Sequence, residues 1–154
     1  MDDHAARLRR YIADHGIEAE HRVFQQSCHS VAEAALAVNA SPTDLVKNIC
    51  LIDARDRLIV AIVNGEDRVS TSCVGKTLGG DRPRSATPEE ILARTGYPCG
   101  GTPSFGFSAL FLVDPRVLEM AWVYTGGGSP HALVRISSRE LVRVNRAEVV
   151  RIRG

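Results

Sequence analysis

The sequence predicts a single α+β domain of 154 residues built around a mixed β-sheet. Segments with helical periodicity alternate along the chain with short apolar segments of strand length. Two of the apolar segments, 45–53 and 58–64, flank a short polar turn, which is the pattern of an antiparallel hairpin. No internal repeat or linker interrupts the chain, and its length suits one hydrophobic core.

Helices are predicted from capping residues and amphipathic spacing at 3–15, 30–39, 70–78, 87–96 and 137–140. The first is charged along its length and ends at Gly16. Ser30 and Glu33 form a capping box, in which each side chain accepts a hydrogen bond from the backbone amide of the other residue. Pro88 fits the first helical position, because the N–H that proline lacks has no intrahelical partner there.

Strands are predicted from apolar segments at 21–25, 45–53, 58–64, 109–113, 121–125, 131–136 and 147–152. A turn at Asp114 and Pro115 follows the fourth of them. The polar segment 41–44 and two glycine-rich segments, 97–106 and 126–130, are predicted to be loops. Helices interspersed with hairpin-like strands in this way are typical of an α+β domain.

Lys47 stands out against this framework. The chain has 19 lysines and arginines, of which only Lys47 and Lys76 are lysine, so lysine is not its routine surface cation. Lys47 lies within an apolar segment, 45–52, that is typical of a covered central strand. An ammonium group there is costly unless it is paired or faces a wet cleft. Lys47 is therefore predicted to be either a structural ion-pair partner or a functional cation.

Composition and residue spacing exclude several classes of protein. The hydrophobic content of 44% and the charged content of 24% are those of ordinary soluble domains, and no segment has the ~20 apolar residues that span a bilayer. No metal site or cofactor is predicted, because the histidines lack ligand spacing and no CxxC motif joins the cysteines, which are Cys28, Cys50, Cys73 and Cys99. Reduced thiols and the lack of a signal peptide predict a cytoplasmic protein.

The two glycine-rich loops are the segments best suited to approach a ligand. Glycine lets a ligand come close to the main chain, and successive free amides can bind a carboxylate or an oxyanion. The alternative is that both loops are ordinary connections. Neither loop is a dinucleotide fingerprint or a P-loop, and Cys28, Cys99 and Ser104 lack a nucleophile motif. His29 at a helix entrance and His131 at a strand edge are open to a purely structural interpretation.

Charge is unevenly distributed, although the net charge is only +1. Residues 131–154 carry six arginines and two glutamates, which is a local charge of +4. Two interpretations are open, namely solvated helix and strand faces or a weak phosphate-docking patch.

Ordered segments of the chain resemble the YbaK / prolyl-tRNA synthetase-associated domain family. They are 29–35 (HSVAEAA), 44–48 (DLVKN), 95–97 (TGY), 100–106 (GGTPSFG), 113–114 (VD) and 126–133 (GGGSPHAL). The resemblance covers about residues 5–145, in order and at the spacing of the family. It implies one domain, 1–154, with a twisted and partly closed mixed sheet surrounded by helices. Members of this family hydrolyse mischarged aminoacyl-tRNA, mainly tRNA(Pro) that carries the wrong amino acid.

The resemblance also implies roles for individual residues. Lys47 corresponds to a strand lysine that faces the aminoacyl-adenosine end of the tRNA. The glycine-proline loop lies along the scissile ester, so catalysis is assigned to Lys47, Gly101, Thr102 and Pro103. Substrate contacts are assigned to His29, Asn48, Gly100, Ser104, Phe105, Gly106, Gly127, Gly128, Ser129 and His131.

Two residues depart from the family pattern. Ser104 stands where many relatives have a proline, and Asn48 replaces a serine or threonine that often follows the lysine. The Ser104 departure leaves the shape of the pocket, and hence the preferred amino acid, unspecified. Asp114 corresponds to a strand-end aspartate of the family.

The chain is therefore predicted to be a trans-editing deacylase for tRNA(Pro) that carries alanine, cysteine or serine. Amides of the first glycine loop would stabilise the oxyanion, and Lys47 would position the 3′ end. The expected partner is the tRNA acceptor end, with prolyl-tRNA synthetase as a further candidate. Two alternatives stay open, namely a binding module of the same fold without turnover and an interaction protein that docks RNA or protein through its arginine-rich C-terminal region. The pattern does not specify an oligomeric state.

Overall fold

A computed structural model describes all residues from Met1 to Gly154. The helices are α1 (Asp3–Asp14), α2 (Val31–Ala37), α3 (Thr71–Thr77), α4 (Pro88–Thr95) and α5 (Ser138–Asn145), with short 3₁₀ helices at Pro42–Asp44 and Pro115–Glu119. The strands are β1 (Ala19–Val23), β2 (Val46–Ile52), β3 (Leu58–Asn64), β4 (Arg84–Ser85), β5 (Leu110–Val113), β6 (Trp122–Gly126), β7 (Ala132–Ser137) and β8 (Glu148–Val149). The predicted α+β class is confirmed. No helix has the length and apolar character needed to cross a membrane.

The strands form two open sheets rather than the single, partly closed sheet that the resemblance implies. The larger sheet has the order β4-β2-β3-β5-β8 and is mixed, because β2 and β3 are antiparallel whereas β3 and β5 are parallel. The smaller sheet has the order β1-β7-β6 and is antiparallel. The second 3₁₀ helix carries the chain from β5 to β6, so these consecutive apolar strands lie in different sheets. The sheets meet at a parallel bridge between Leu45 and Tyr124.

Strand β3 is the centre of the hydrophobic core. All seven of its residues are buried, and alternate side chains pack into two separate clusters. Val60 and Ile62 belong to the main cluster, which lies between the two sheets, whereas Ile59 and Val63 pack with Val74 of α3. A strand covered on both faces needs apolar residues at successive positions, which explains the uninterrupted apolar segment in the sequence.

Two predicted elements differ clearly in length from those of the structure, and one short strand was not predicted. Helix α5 continues to Asn145, five residues beyond its predicted end, and β4 is not predicted because a two-residue exposed strand has no periodic signal. The predicted strand at 147–152 is reduced to β8, since only two of its residues pair with β5. The chain after β8 is held by the Asp114 side chain and by separate backbone hydrogen bonds to Arg68, Ser70 and Val113, and not by a continuous ladder.

Asp114 binds the C-terminal segment to the end of β5. Its fully buried carboxylate accepts hydrogen bonds from the backbone amides of Ile152 (3.0 Å) and Arg153 (3.1 Å), and from the Arg153 guanidinium (2.6 Å). Burial on its own would raise the pKa of Asp114, but these bonds and the backbone amide of Arg116 together lower the pKa below its ordinary value of 3.8.

We expect Asp114→Asn to destabilise the fold by about 3 kcal/mol near pH 7, because it leaves the buried end of Arg153 without its counter-charge. A carboxylate with a lowered folded-state pKa stabilises the protein above its unfolded-state pKa, and this contribution is lost as the pH falls through the folded-state value. The wild type should therefore lose stability below about pH 3.8, and the variant should lose less. Urea unfolding above and below this pH measures both effects. An equal acid loss in the two proteins would contradict the assignment.

The arginines of residues 131–154 do not form one patch. Arg143 pairs with Glu140 on α5, and Arg153 pairs with buried Asp114. Arg135 instead lies over the ring of Trp122 on the smaller sheet. The structure therefore favours solvated and ion-paired faces over a continuous docking patch for this region as a whole.

Candidate active site

A cleft of about 200 Å³ lies beside the bridge that joins the two sheets. Its walls come from the entrance and first turn of α2, the start of β2, the first glycine loop and the end of β6. Five of the predicted site residues line it, namely His29, Lys47, Asn48, Gly100 and Thr102. Lys47 is the only lysine or arginine in this lining. The cleft thus brings together residues that are far apart in the sequence.

The other predicted site residues lie behind the wall of the cleft or outside it: Gly101, Pro103, Ser104, Phe105, Gly106, Gly127, Gly128, Ser129 and His131. Phe105 is fully buried in the main cluster. His131 is exposed, and its Nδ1 lies 3.1 Å from the carbonyl oxygen of Gln26. None of these nine residues is part of the cleft lining, and the catalytic and substrate-binding roles assigned to them stay predictions.

The two glycine loops are packed against each other. The amide of Gly128 donates to the carbonyl oxygen of Gly101 at 2.8 Å. A Cβ atom at Gly101 would come within 2.5 Å of the Ser129 backbone, and one at Gly126 within 2.1 Å of the Thr102 carbonyl oxygen. Glycine is required at both positions because the two backbones approach too closely for any side chain.

We expect Gly126→Ala to lower the predicted deacylation activity strongly, because the new methyl group would displace Thr102 from the cleft wall. A misplacement of about 1 Å can cost roughly 100-fold in rate. Gly80→Ala is the matched control, since a Cβ atom there meets nothing within 4 Å. Turnover of the two purified variants, with circular dichroism as a check on folding, measures the effect. Equal activities in the two variants would show that the contact between the loops does not set the site geometry.

A closed ring of hydrogen bonds joins β2, the first glycine loop and β6. Asn48 Nδ2 donates to Thr125 Oγ1 (2.8 Å), Ser104 Oγ donates to Asn48 Oδ1 (2.7 Å), and the Ser104 and Thr125 hydroxyls lie 2.7 Å apart. Asn48 Nδ2 also donates to the carbonyl oxygen of Thr102 at 3.0 Å. A carbonyl can only accept, so the nitrogen of the Asn48 amide must face Thr102.

This orientation of Asn48 determines which group donates and which accepts in each hydrogen bond of the ring. Ser104 uses its proton on Asn48 Oδ1, so the Thr125 hydroxyl donates to Ser104 and accepts from Asn48. Asn145 adds a bond from its Nδ2 to the carbonyl oxygen of Ser104 at 3.0 Å. All the polar side-chain atoms of the ring are satisfied, and the ring therefore holds the glycine loop against β2 and β6.

Lys47 is not a structural ion-pair partner. Its Nζ donates to the main-chain oxygen of Asp67 at 2.8 Å, and it takes part in no salt bridge. The Asp67 carboxylate is bonded instead to Arg116 at 2.7 Å through Oδ1, whereas Oδ2 is buried without a partner. The ammonium group is thus held in place by a neutral carbonyl. Of its two predicted roles, that of a structural ion-pair partner is wrong, and that of a functional cation stays a prediction.

The main chain at the cleft offers two free donors. The backbone N–H groups of Gly100 and Thr102 make no hydrogen bond within the protein. Gly100 has φ +86°, and a Cβ atom there would come within 2.1 Å of His29 Nδ1. The imidazole of His29 therefore packs directly on the loop, and only glycine fits beneath it.

The cysteines at the cleft do not form a nucleophilic centre. All four cysteines are free, and Cys28 and Cys99 line the cleft. Burial and the nearby Glu33 carboxylate raise the pKa of Cys28, so its thiol stays protonated at neutral pH. Burial raises the pKa of Cys50, behind the wall, to about 12. No group of three or more His, Cys, Asp or Glu side chains is arranged to hold a metal ion.

Comparison with known proteins assigns the chain that forms this cleft to a family. A profile described as "Aminoacyl-tRNA editing domain" matches residues 25–144, which include the cleft and both glycine loops. The chain belongs to this family. The predicted resemblance is therefore confirmed, and the protein is an aminoacyl-tRNA editing domain.

Solved structures share the fold of this editing domain over nearly its whole length. The crystal structure of a candidate trans-editing enzyme for prolyl tRNA synthetase is 27% identical, with a TM-score of 0.92 over 100% of this chain and 99% of that one. The crystal structure of hypothetical protein APE2540 is 28% identical, with a TM-score of 0.89 over 96% and 99% of the two chains. Among curated sequences, uncharacterized protein YwhH of Bacillus subtilis (strain 168) is 23% identical over 120 residues, or 77% of this chain and 76% of that protein.

Sequence analysis does not find three residues that build the site. Thr125 and Asn145 are buried polar residues that complete the hydrogen bonds of the glycine loop, and Asp67 supplies the acceptor for Lys47. A threonine within the apolar segment 121–125 is the one signal that could have indicated the first of them. The other two lie in segments without a motif.

Proposed function

We propose that this editing domain is a trans-editing deacylase, which hydrolyses the ester of a mischarged aminoacyl-tRNA, with tRNA(Pro) carrying alanine, cysteine or serine as the substrate. The observation that carries the proposal is the meeting, in one cleft, of the ammonium group of Lys47 and the free amides of Gly100 and Thr102. A cation and two donors suit a ligand that has a phosphate or ribose next to a carbonyl.

The reaction in this cleft needs no protein nucleophile, since an aminoacyl ester is already activated. Attack by water forms a bond to the carbonyl carbon and places negative charge on the carbonyl oxygen. The Gly100 and Thr102 amides would stabilise that charge, each by about 3 kcal/mol if well placed. The ester bond to the ribose then breaks. One proton of the attacking water passes to the ribose oxygen, the other is released to solvent, and the amino acid leaves as its carboxylate. The protonated thiol of Cys28 is consistent with hydrolysis by water.

The size of the cleft favours a small aminoacyl group. Its volume of about 200 Å³ is below the roughly 300–1,000 Å³ typical of pockets for larger ligands. Its apolar wall includes Cys28, Val31, Ala34 and Leu133. Such a wall discriminates by only about 1–3 kcal/mol for each methylene, so alanine, cysteine and serine are all suitable candidates.

The alternative of a binding module without turnover loses its main support. That alternative depended on Ser104, which replaces a proline of the family. Ser104 is fully buried, completes the hydrogen-bond ring and does not line the cleft. We therefore favour the enzyme.

The test is deacylation of tRNA(Pro) charged with alanine, cysteine or serine, with correctly charged Pro-tRNA(Pro) as the reference substrate. Hydrolysis of one mischarged species, with Pro-tRNA(Pro) spared, is the expected result and would identify the amino acid. If none of these species is hydrolysed, the next substrates to test are tRNAs other than tRNA(Pro) that carry small amino acids. Binding of all of them without turnover would establish the binding module instead.

A further inference from the structure

The smaller sheet has one face in the main cluster, and its opposite face is covered by residues of α2 at Leu133 and Tyr124 but open to solvent at Trp122. Val123, Val134 and Ile136 point into the main cluster. Side chains alternate along a strand, so the residues between them face outwards. This outer face carries Trp122 and Tyr124 of β6, Arg135 of β7, and Glu20 and Arg22 of β1, which the strand register places side by side.

Trp122 is exposed, and the Arg135 guanidinium stacks on its ring. Its exposed fraction is 47%, and the Arg135 guanidinium lies 4.3 Å from the centre of the ring. Arg135 takes part in no salt bridge, so its charge is available to a ligand. Exposed aromatic rings with adjacent arginines bind nucleic-acid bases by stacking while the cation attracts the backbone.

A second pair of the same kind connects this surface to the cleft. The Arg22 guanidinium lies 5.8 Å from the centre of the Tyr124 ring and donates to its hydroxyl at 3.3 Å. Tyr124 also lines the cleft, whereas Trp122 does not. The two rings are two residues apart on one face of β6, which is about 7 Å. The outer face therefore runs directly outwards from the rim of the proposed active site.

The charge on this face suits a polyanion. It holds two arginines and one glutamate, and Glu20 is bound at 2.9 and 3.0 Å by Arg22. The Arg22 guanidinium lowers the pKa of Glu20, so this carboxylate stays paired at neutral pH. Arg135 lies opposite Glu20 in the strand register and helps to lower its pKa, but it forms no salt bridge with it. A protein partner would more commonly bind a larger apolar patch, whereas the exposed apolar surface of this face consists of the Trp122 ring and part of the Tyr124 ring.

We propose that the outer face of the β1-β7-β6 sheet binds the single-stranded 3′ end of the RNA whose terminal nucleotide occupies the cleft, with a preceding base stacked on Trp122 and a phosphate near Arg135. This proposal rests on the proposed function in one respect, namely that the aminoacylated end of the RNA occupies the cleft. Stacking and a single cation would bind the strand with little sequence preference. The surface would serve to direct the ester-bearing end towards Lys47.

Trp122 is the only tryptophan in the chain, so its fluorescence reports directly on this surface. The probe is an RNA hairpin that carries no amino acid and has a single-stranded CCA 3′ overhang. It is compared with the same hairpin with a blunt end. We expect saturable quenching by the first hairpin and none by the second. Binding of the labelled overhang hairpin, measured by anisotropy, should weaken about 5- to 100-fold in Trp122→Ala and largely recover in Trp122→Phe.

Two further variants make the test specific. Arg135→Gln should weaken binding and reduce the slope of log affinity against log salt by about 0.7, the value for one phosphate contact on a single strand. Leu92→Ala is the matched control, because Leu92 on α4 is 45% exposed and does not line the cleft. This variant should bind as the wild type does.

The outcomes separate this proposal from the proposed function. Quenching by the overhang hairpin in a protein that hydrolyses no aminoacyl-tRNA would support the surface and overturn the enzyme. Hydrolysis that is unaffected by Trp122→Ala, together with no quenching by the overhang hairpin, would overturn the surface and leave the enzyme in place. Equal quenching by the blunt hairpin, or a response only to added prolyl-tRNA synthetase, would also overturn the proposal of a single-stranded 3′ end.

Discussion

Lys47→Met is expected to lower kcat/KM for deacylation by about 100- to 1,000-fold, the loss typical of removing one well-placed charged or polar donor. Lys47 is the only lysine or arginine that lines the cleft, and it takes part in no salt bridge. Methionine keeps most of the length and apolar volume of the side chain, so the substitution removes the charge and leaves the packing. Single-turnover deacylation of the preferred mischarged tRNA measures the effect.

The control for this prediction is Lys76→Met, which removes the other lysine of the chain from an exposed position on α3. It should retain wild-type activity. The fold of Lys47→Met should survive, because the substitution removes only one charge-assisted hydrogen bond to the Asp67 carbonyl, worth about 1.5–3 kcal/mol. A Lys47→Met enzyme that keeps its activity, with a melting temperature near that of the wild type, would rule out a catalytic role for the ammonium group.

Asn48→Ala is expected to destabilise the protein by about 3 kcal/mol and to lower activity as well. The substitution removes the partner of three groups at once, namely the Thr102 carbonyl, the Ser104 hydroxyl and the Thr125 hydroxyl. Each unsatisfied buried group costs about 1–3 kcal/mol. The two hydroxyls can still bond each other, which limits the total. Denaturant unfolding measures the loss of stability, and deacylation measures the displacement of Thr102 from the cleft.

A double-mutant cycle with Ser104→Ala makes this prediction specific to the ring. Ser104→Ala should cost less than Asn48→Ala, because the bonds from Asn48 to Thr102 and Thr125 remain. The double variant should be more stable than the sum of the two losses predicts, since each single substitution already breaks the ring. Strict additivity of the two losses would show that the hydrogen bonds contribute to stability independently and not as a ring.

The elements that could be predicted are those whose stability depends on near neighbours in the chain. Ser30 caps α2 by accepting from the Glu33 amide, but the predicted capping box is only half formed, because the Glu33 carboxylate accepts from the Ser30 hydroxyl and not from its amide. Thr87 and Glu90 form the complete box at the start of α4. The apolar run of β3 marks a strand buried on both faces. These signals lie within one turn or one strand, so the sequence carries them without reference to the rest of the fold.

Residues of the site were predictable only where their type conflicts with their surroundings. Lys47 is conspicuous because a lysine is rare in this chain and its neighbours are apolar, and the first glycine loop because its glycines permit unusual backbone conformations. The role of Ser104 could not be predicted from its type and its neighbours in the sequence. Its departure from the family pattern points to a changed pocket, whereas the structure uses it behind the wall to bond Asn48.

Sequence alone therefore determined the α+β class, most helices and strands, and the family, and it indicated Lys47 and the glycine loops as the candidate site. Only the tertiary structure decided that the strands divide into two sheets, that the loops pack on each other, and that Asn48 joins residues 56 and 77 positions away. The physical reason is that hydrogen-bond partners across such separations are selected by the packing of the whole core. A single residue type, such as threonine or asparagine, carries no local signal of the group that it will meet.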